Sequence, residues 1–313
     1  MSKTGSIIYP VFLPMQGCPG RCIYCDQQKI SAATNPDPFS HIAEVAAFIR
    51  RNPGKSKEIA FYGASFTALS SAYRQQLLAA YAEIMDAQSS FRISTHPLFI
   101  SDEILSECYH QGIRCIELGI QDFDSTVLCS SGRGYDHQLA RDAAIKVKEH
   151  GFTLGVQLMP GLPGSDAGTI EFNMRQLVDI LPHFLRLYPL VVIKGTELAK
   201  RYQQGTFRPL TLEEAIAICA NYCELAEIHQ IKVIKLGLPS NLDPAEILAG
   251  PFHPAFGEFV QAELLIRKLL KDYLPGHEII LDKKQRALLS GHGHRFHTIL
   301  QDRLANCMNP LQP

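Results

Sequence analysis

A chain of 313 residues, 46% apolar and 19% charged, can bury a large core and fits one sizeable domain with an appendage. The formal net charge of −1 carries no global signature of a nucleic-acid or membrane binder, so contact with either has to be local. The polar start MSKTGS has no apolar signal core, no apolar run is long enough to span a bilayer, and nine cysteines show no framework spacing; a cytoplasmic protein without disulfides or membrane contact is expected.

The first predicted strand is Ile7–Leu13, and the run QGCPGRCIYC follows it directly. Cys18, Cys22 and Cys25 are too crowded, among Gly and Pro, for a regular helix or strand, but they can converge on one metal centre. Three thiols are one short of a closed structural site, which leaves a metal position open for chemistry. Strands are then predicted at Glu58–Tyr62, Phe91–Thr95, Cys115–Ile120, Phe152–Met159 and Phe184–Leu190. Helices are predicted between and after them, near Ile42–Arg51, Ala72–Met85, Asp102–His110, Asp136–His150, Thr169–Leu181 and Leu212–His229. Gly112 and Gly151 stand where a helix stops before the next strand. This alternation predicts an α/β fold, a partial (β/α)6 TIM-like barrel over residues 1–245, with Lys232–Leu238 closing or flanking it. Residues 246–313 are expected to form a small α+β domain: helix Phe256–Tyr273, strand His277–Leu281 and a further helix.

Polar and small residues collect just after the strands, where a barrel enzyme needs them. Gly63, Ala64 and Ser65 follow the second strand and let a ligand approach backbone and hydroxyl groups. Ser94 ends the third strand, Glu117 and Gln121 lie on the fourth, Arg133 follows in Ser131–Gly134, and Gln157 lies on the fifth.

With these positions in place, the chain resembles the radical S-adenosylmethionine (SAM) enzymes, whose hallmark is three cysteines spaced as here with an aromatic residue, Tyr24, before the third. Within them it is similar to the catalytic subunit of elongator and its shorter bacterial relatives, through FYGASFT, RISTHP, IELGIQDFD, SGRGYD, QLMPGLPG, RLYPLVVIKGTEL, PLTLEEA and GPFHPAFGE. Anaerobic coproporphyrinogen oxidase is a more distant likeness. The resemblance implies that Cys18, Cys22 and Cys25 hold a [4Fe–4S] cluster whose fourth iron chelates the methionine part of SAM. It implies that Gly63, Ala64 and Ser65 face the methionine amine, although this chain has Ala and Ser where that family segment reads Gly and Glu. Ser94, Gln121 and Gln157 would line ribose and methionine, Arg133 would pair with the methionine carboxylate, and Tyr24 would lie near the adenine. One-electron cleavage of SAM to a 5′-deoxyadenosyl radical would follow, fed by a donor such as flavodoxin or ferredoxin.

Other readings stand beside these. The cysteine trio could be a zinc site completed from a distance. Glu117 could touch a ligand or pair with a core cation, and Lys194 in IKGTEL has no role that the residues define. Cys219 and Cys223 read as apolar filler, and Cys108, Cys115, Cys129 and Cys307 as unrelated to the site. In LLSGHGHRFHTIL, His292, His294 and His297 admit a metal reading, a solvated loop, or a helix–Gly loop–helix that clamps RNA. The expected function is a radical SAM enzyme acting on tRNA or RNA. The alternatives are an oxidoreductase of a small metabolite and a non-catalytic cluster or SAM-binding module. Acetyl transfer is not expected, because roughly 60 residues after the barrel are too few for that domain.

Overall fold

The computed structural model describes residues 6–18, 20, 22–26, 29–30, 37–239, 242–274, 277 and 279–305, with the backbone of 306–308. Six parallel strands run in chain order, β1 (Ile7–Phe12), β2 (Lys57–Tyr62), β3 (Ser89–Thr95), β4 (Ile113–Gln121), β5 (Thr153–Leu158) and β6 (Phe184–Leu187). A two-residue strand β7 (Val192–Ile193) lies outside this sheet, and β8 (Lys232–Leu236) joins it beside β6 as a seventh parallel strand. Near-continuous apolar strands such as β4 and β5 are what a sheet covered on both faces requires.

The crossovers carry α1 (Ile42–Arg51), α2 (Ser71–Ala82), α3 (Asp102–His110), α4 (Ser125–Ser130), α5 (His137–Glu149), α6 (Ala167–Ile180), α7 (Glu197–Gln203) and α8 (Leu212–Ile228). Ser70, Ser101, Asp136 and Thr211 each accept a backbone N–H in the first turn of α2, α3, α5 and α8. Gly112 and Gly151 take positive φ after α3 and α5, as their placement predicts. The expected barrel of six units is therefore present, with Lys232–Leu236 extending its sheet by one strand. The short α4, α7 and β7 were not anticipated.

A strand β9 (Ile247–Ala249) pairs antiparallel with β7. After it come α9 (Phe256–Lys271), α10 (Lys283–Ser290) and α11 (Arg295–Met308). The described residues of the strand expected at His277–Leu281 form none: 277 and 279–281 are irregular, and Ile280 is 88% exposed. An apolar run becomes a strand only where an edge is free to pair with it. Phe256, Phe259, Val260, Ile266, Leu289 and Phe296 belong to the same apolar cluster as the sheet. No helix among the described residues is long and apolar enough to cross a membrane.

Candidate cofactor and substrate site

The chain leaves β1 through a turn stitched to the end of β2. Leu13 N donates to Tyr62 O (2.8 Å), Met15 N to Gly63 O (2.9 Å), and Ser65 N returns to Gln16 O (3.1 Å). Gly17 is required here: its φ is +66°, and a Cβ would stand 2.7 Å from Ser65 O. Cys18 then follows, and Cys22–Cys25 form a second turn held by Ile23 N on Ser131 O (3.2 Å) and Leu198 N on Ile23 O (2.8 Å). Tyr24 anchors this turn in a small apolar cluster with Val127, Met159, Leu162, Leu190 and Leu198.

Cys18, Cys22, Cys25, Tyr24, Gly63, Ala64, Ser65, Ser94, Gln121, Arg133 and Gln157 all line one cavity of about 350 Å³. The structure thus brings together every residue that the sequence nominates for a cluster and SAM, from six separate chain segments. Arg133 is buried, donates from Nη1 to Cys22 Sγ (3.1 Å) and from Nε to Tyr135 Oη (3.1 Å), and contacts the Gly119 carbonyl through Nη2. Burial opposes its charge, but a guanidinium keeps its proton inside a protein, and here its pKa lies above the ordinary value. A permanent cation therefore stands beside a sulfur that would be negative when metal-bound.

Gln121 is left-handed at φ +72°, at a register shift in the β4–β5 pairing. That conformation turns its side chain back over Gly119, where a Cβ would stand 2.9 Å from Gln121 Nε2, and Gln157 Nε2 donates to Gln121 Oε1 (3.1 Å). Backbone strain of this kind costs about 1–3 kcal/mol and persists where the surroundings enforce it. Ser94 Oγ donates to Phe61 O (3.4 Å).

Glu117 resolves toward pairing, though at the cavity wall: it accepts from Tyr62 Oη (2.8 Å) and Arg92 Nη1 (2.8 Å), and its second oxygen pairs with Arg186 Nε. Lys194 has an exposed side chain; its carbonyl accepts from Lys29 Nζ (2.9 Å), which also pairs with Glu246 (2.6 Å). Cys108, Cys115, Cys219 and Cys223 are buried outside the cavity, Cys129 is exposed, and the Cys307 side chain lies outside the described residues. His292 lies exposed in a turn, as the solvated-loop reading expects, packed edge-on against Phe259 and 3.1 Å from Glu258 Oε2.

Several cavity residues escaped the sequence reading, among them Tyr62, Arg186, Tyr188, Lys235 and His96. His96 Nδ1 accepts from Leu98 N (3.3 Å), so its proton sits on Nε2, which is buried in the cavity wall without a protein partner. Burial and then Arg133 press its pKa down to about 3, so the ring stays neutral. Its signal was position alone, one residue beyond Thr95 at a strand end.

A parallel half-barrel whose strand ends surround a loop of three thiols defines a class of metal-cluster barrel. The sequence matches the family described as Radical SAM superfamily over residues 12–177, more than half of the chain, and the Radical_SAM C-terminal domain over 182–265. The chain belongs to the radical SAM superfamily. It is 30% identical over 129 residues to a tRNA uridine(34) acetyltransferase of Methanocaldococcus infernus, covering 40% of this chain and 24% of that protein. It is 26% identical over 195 residues to the heme chaperone HemW of Lactococcus lactis, covering 61% of this chain and 51% of that protein. The chain thus spans from about a quarter to about half of these relatives. Among solved structures, Elp3 of Methanocaldococcus infernus superposes with a TM-score of 0.66 at 20% identity, over 85% of this chain and 63% of that one. Coproporphyrinogen III oxidase (HemN) of Escherichia coli gives 0.53 at 17% identity, over 72% and 53%. These two likenesses show the fold.

The superfamily uses a [4Fe–4S] cluster and SAM. The cavity's donor set fits both. Cys18, Cys22 and Cys25 all line the chamber, and a cluster takes each thiolate on a different iron. Tyr24 Oη and His96 Nε2 face that chamber as buried, unpartnered polar atoms, which a polar ligand would satisfy.

Proposed function

We propose that this chain is a radical SAM enzyme whose substrate is tRNA. The observation that carries the reading is the convergence of Cys18, Cys22 and Cys25 with polar groups from the ends of β2 to β5 on one chamber. When bound, the cluster and SAM supply a carbon-centred radical by one-electron cleavage of the sulfonium. The chain's own residues then bind, orient and shield. Cys18, Cys22 and Cys25 are the cluster ligands in this reading, and Arg133 takes the methionine carboxylate as a charge-assisted contact. Ser94, Gln121 and Gln157 hold ribose and methionine hydroxyl and amine groups, Gly63, Ala64 and Ser65 leave room for the methionine chain, and Tyr24 stands by the adenine. The apolar wall of Met159, Val191 and Ile193 excludes water from a reactive carbon. Residues 1–245 form the catalytic part and 246–313 an accessory one, and a small one-electron protein such as flavodoxin or ferredoxin reduces the cluster.

The tRNA assignment is supported by the likeness to archaeal tRNA uridine(34) acetyltransferases. After anaerobic reconstitution with iron and sulfide, dithionite and SAM are expected to yield 5′-deoxyadenosine, and none in a Cys22→Ala variant. A tRNA mobility shift under the same conditions tests the substrate. No 5′-deoxyadenosine from the wild type overturns the catalytic reading; no shift returns the substrate to small metabolites.

A further inference from the structure

Away from the thiols, the same chamber is walled by β6 and β8. In their register Arg186 stands opposite Lys235, and both side chains line the cavity with Tyr62, Tyr188 and Glu117. Like charges directly across a strand pair repel, so the arrangement needs a compensating anion. Glu117 is the one acidic residue among those described as lining the chamber, and it is already committed. Its Oε1 accepts from Tyr62, Arg92 and Arg186 Nη2 (3.2 Å), and its Oε2 pairs with Arg186 Nε. Arg92 has a second carboxylate in Glu58, 2.6 Å from its Nε, but no carboxylate among the described residues reaches Lys235. Three cations thus face two anions, with the surplus at Lys235. The tyrosines cannot offset it, since burial raises both hydroxyl pKa values and keeps them neutral donors. Burial and then Arg186 lower the pKa of Lys235, the response of an ammonium with no counter-ion.

We propose that Arg186 and Lys235 form an anion subsite of the substrate chamber, taking a phosphate or carboxylate of the molecule on which the radical acts, with the Tyr62 and Tyr188 hydroxyls as further donors. The proposal rests on the reading of this cavity as a radical SAM chamber. A nucleic-acid substrate would supply phosphate, and a small metabolite carboxylate.

The test is acetylation of the reconstituted wild-type protein by an N-hydroxysuccinimide ester, followed residue by residue by peptide mass spectrometry. Inorganic phosphate, acetate, SAM and chloride are compared at equal ionic strength. With phosphate at about twice its Kd, the Lys235 rate is expected to fall about threefold while exposed Lys194 is unchanged. Protection by acetate instead assigns the subsite to a carboxylate. Equal rates in all four salts, or protection by SAM alone, overturn the proposal. In a Lys235→Gln variant the rise in Tm with the protecting anion should vanish; its persistence also counts against the subsite. 5′-Deoxyadenosine formation by the same wild-type preparation keeps the two readings apart. Its absence with Lys235 protection intact retires the radical reading and leaves the anion subsite, and the reverse retires the subsite alone.

Discussion

Glu117 gathers Tyr62 from β2, Arg92 from β3 and Arg186 from β6 onto one carboxylate that is almost wholly buried. Such a group organises the chamber floor, and removing it leaves Arg186 without a carboxylate and Arg92 with Glu58 alone. Glu117→Ala is expected to destabilise the fold by about 3–5 kcal/mol in urea unfolding, and Glu117→Gln by less, since an acceptor remains. A loss near zero for the alanine variant would mean that the cluster contributes nothing. Before the fold is known, Glu117 has two open roles, because its partners come from strands 25 and 69 residues away in sequence. The thiols and Arg133 are legible earlier, since spacing or a motif marks each of them. His96 is not: what distinguishes it is an unpartnered nitrogen, which only packing creates.

At the scale of the element, the β4–β5–β6 region carries most of the constraints. Gly155 on β5 leaves room for the Phe184 ring of β6; a Cβ would come within 2.2 Å of that ring, which also carries Arg92 at 4.9 Å from its centroid. Gly155→Ala is therefore expected to cost about 1–3 kcal/mol by overpacking, read as a lower urea midpoint with unchanged m-value. Just beyond β4, buried Asp122 has its carboxyl pushed up to about 6, chiefly by burial and against the Asp124 N–H that it accepts. A folded pKa above the ordinary value of about 4 means that this group's contribution is full below pH 4 and is lost as pH rises through 6. Asp122→Asn should remove that slope and raise stability at pH 7 by about 2 kcal/mol relative to wild type. A wild-type stability that climbs between pH 4 and 6 through this residue would contradict it. The strands and long helices are legible to within a few residues because period and Gly stops mark them. β7 and β9 are not, being too short to carry a period, and the run at 277–281 shows that apolar residues make a strand only beside a free edge.

At the scale of the molecule, the sheet brings the cysteine loop, the β2–β5 ends and the β6–β8 cations round one chamber. The loop is also tied across it, by Lys29 to Glu246 and to the Lys194 carbonyl. The half-barrel follows from the alternation of elements. The chamber's charge balance does not, since it depends on which side chains the curled sheet sets face to face. The same is true of the C-terminal helices, whose apolar faces share the barrel's core. The radical reading of this chamber depends on a cluster with one iron open to SAM. The most direct test is iron and sulfide analysis of the anaerobically reconstituted protein, with EPR of the dithionite-reduced state before and after SAM. About four irons and four sulfides per chain, and a [4Fe–4S]+ signal whose g values change on adding SAM, are the expected result. A protein that binds only zinc, or a cluster signal indifferent to SAM, would contradict it.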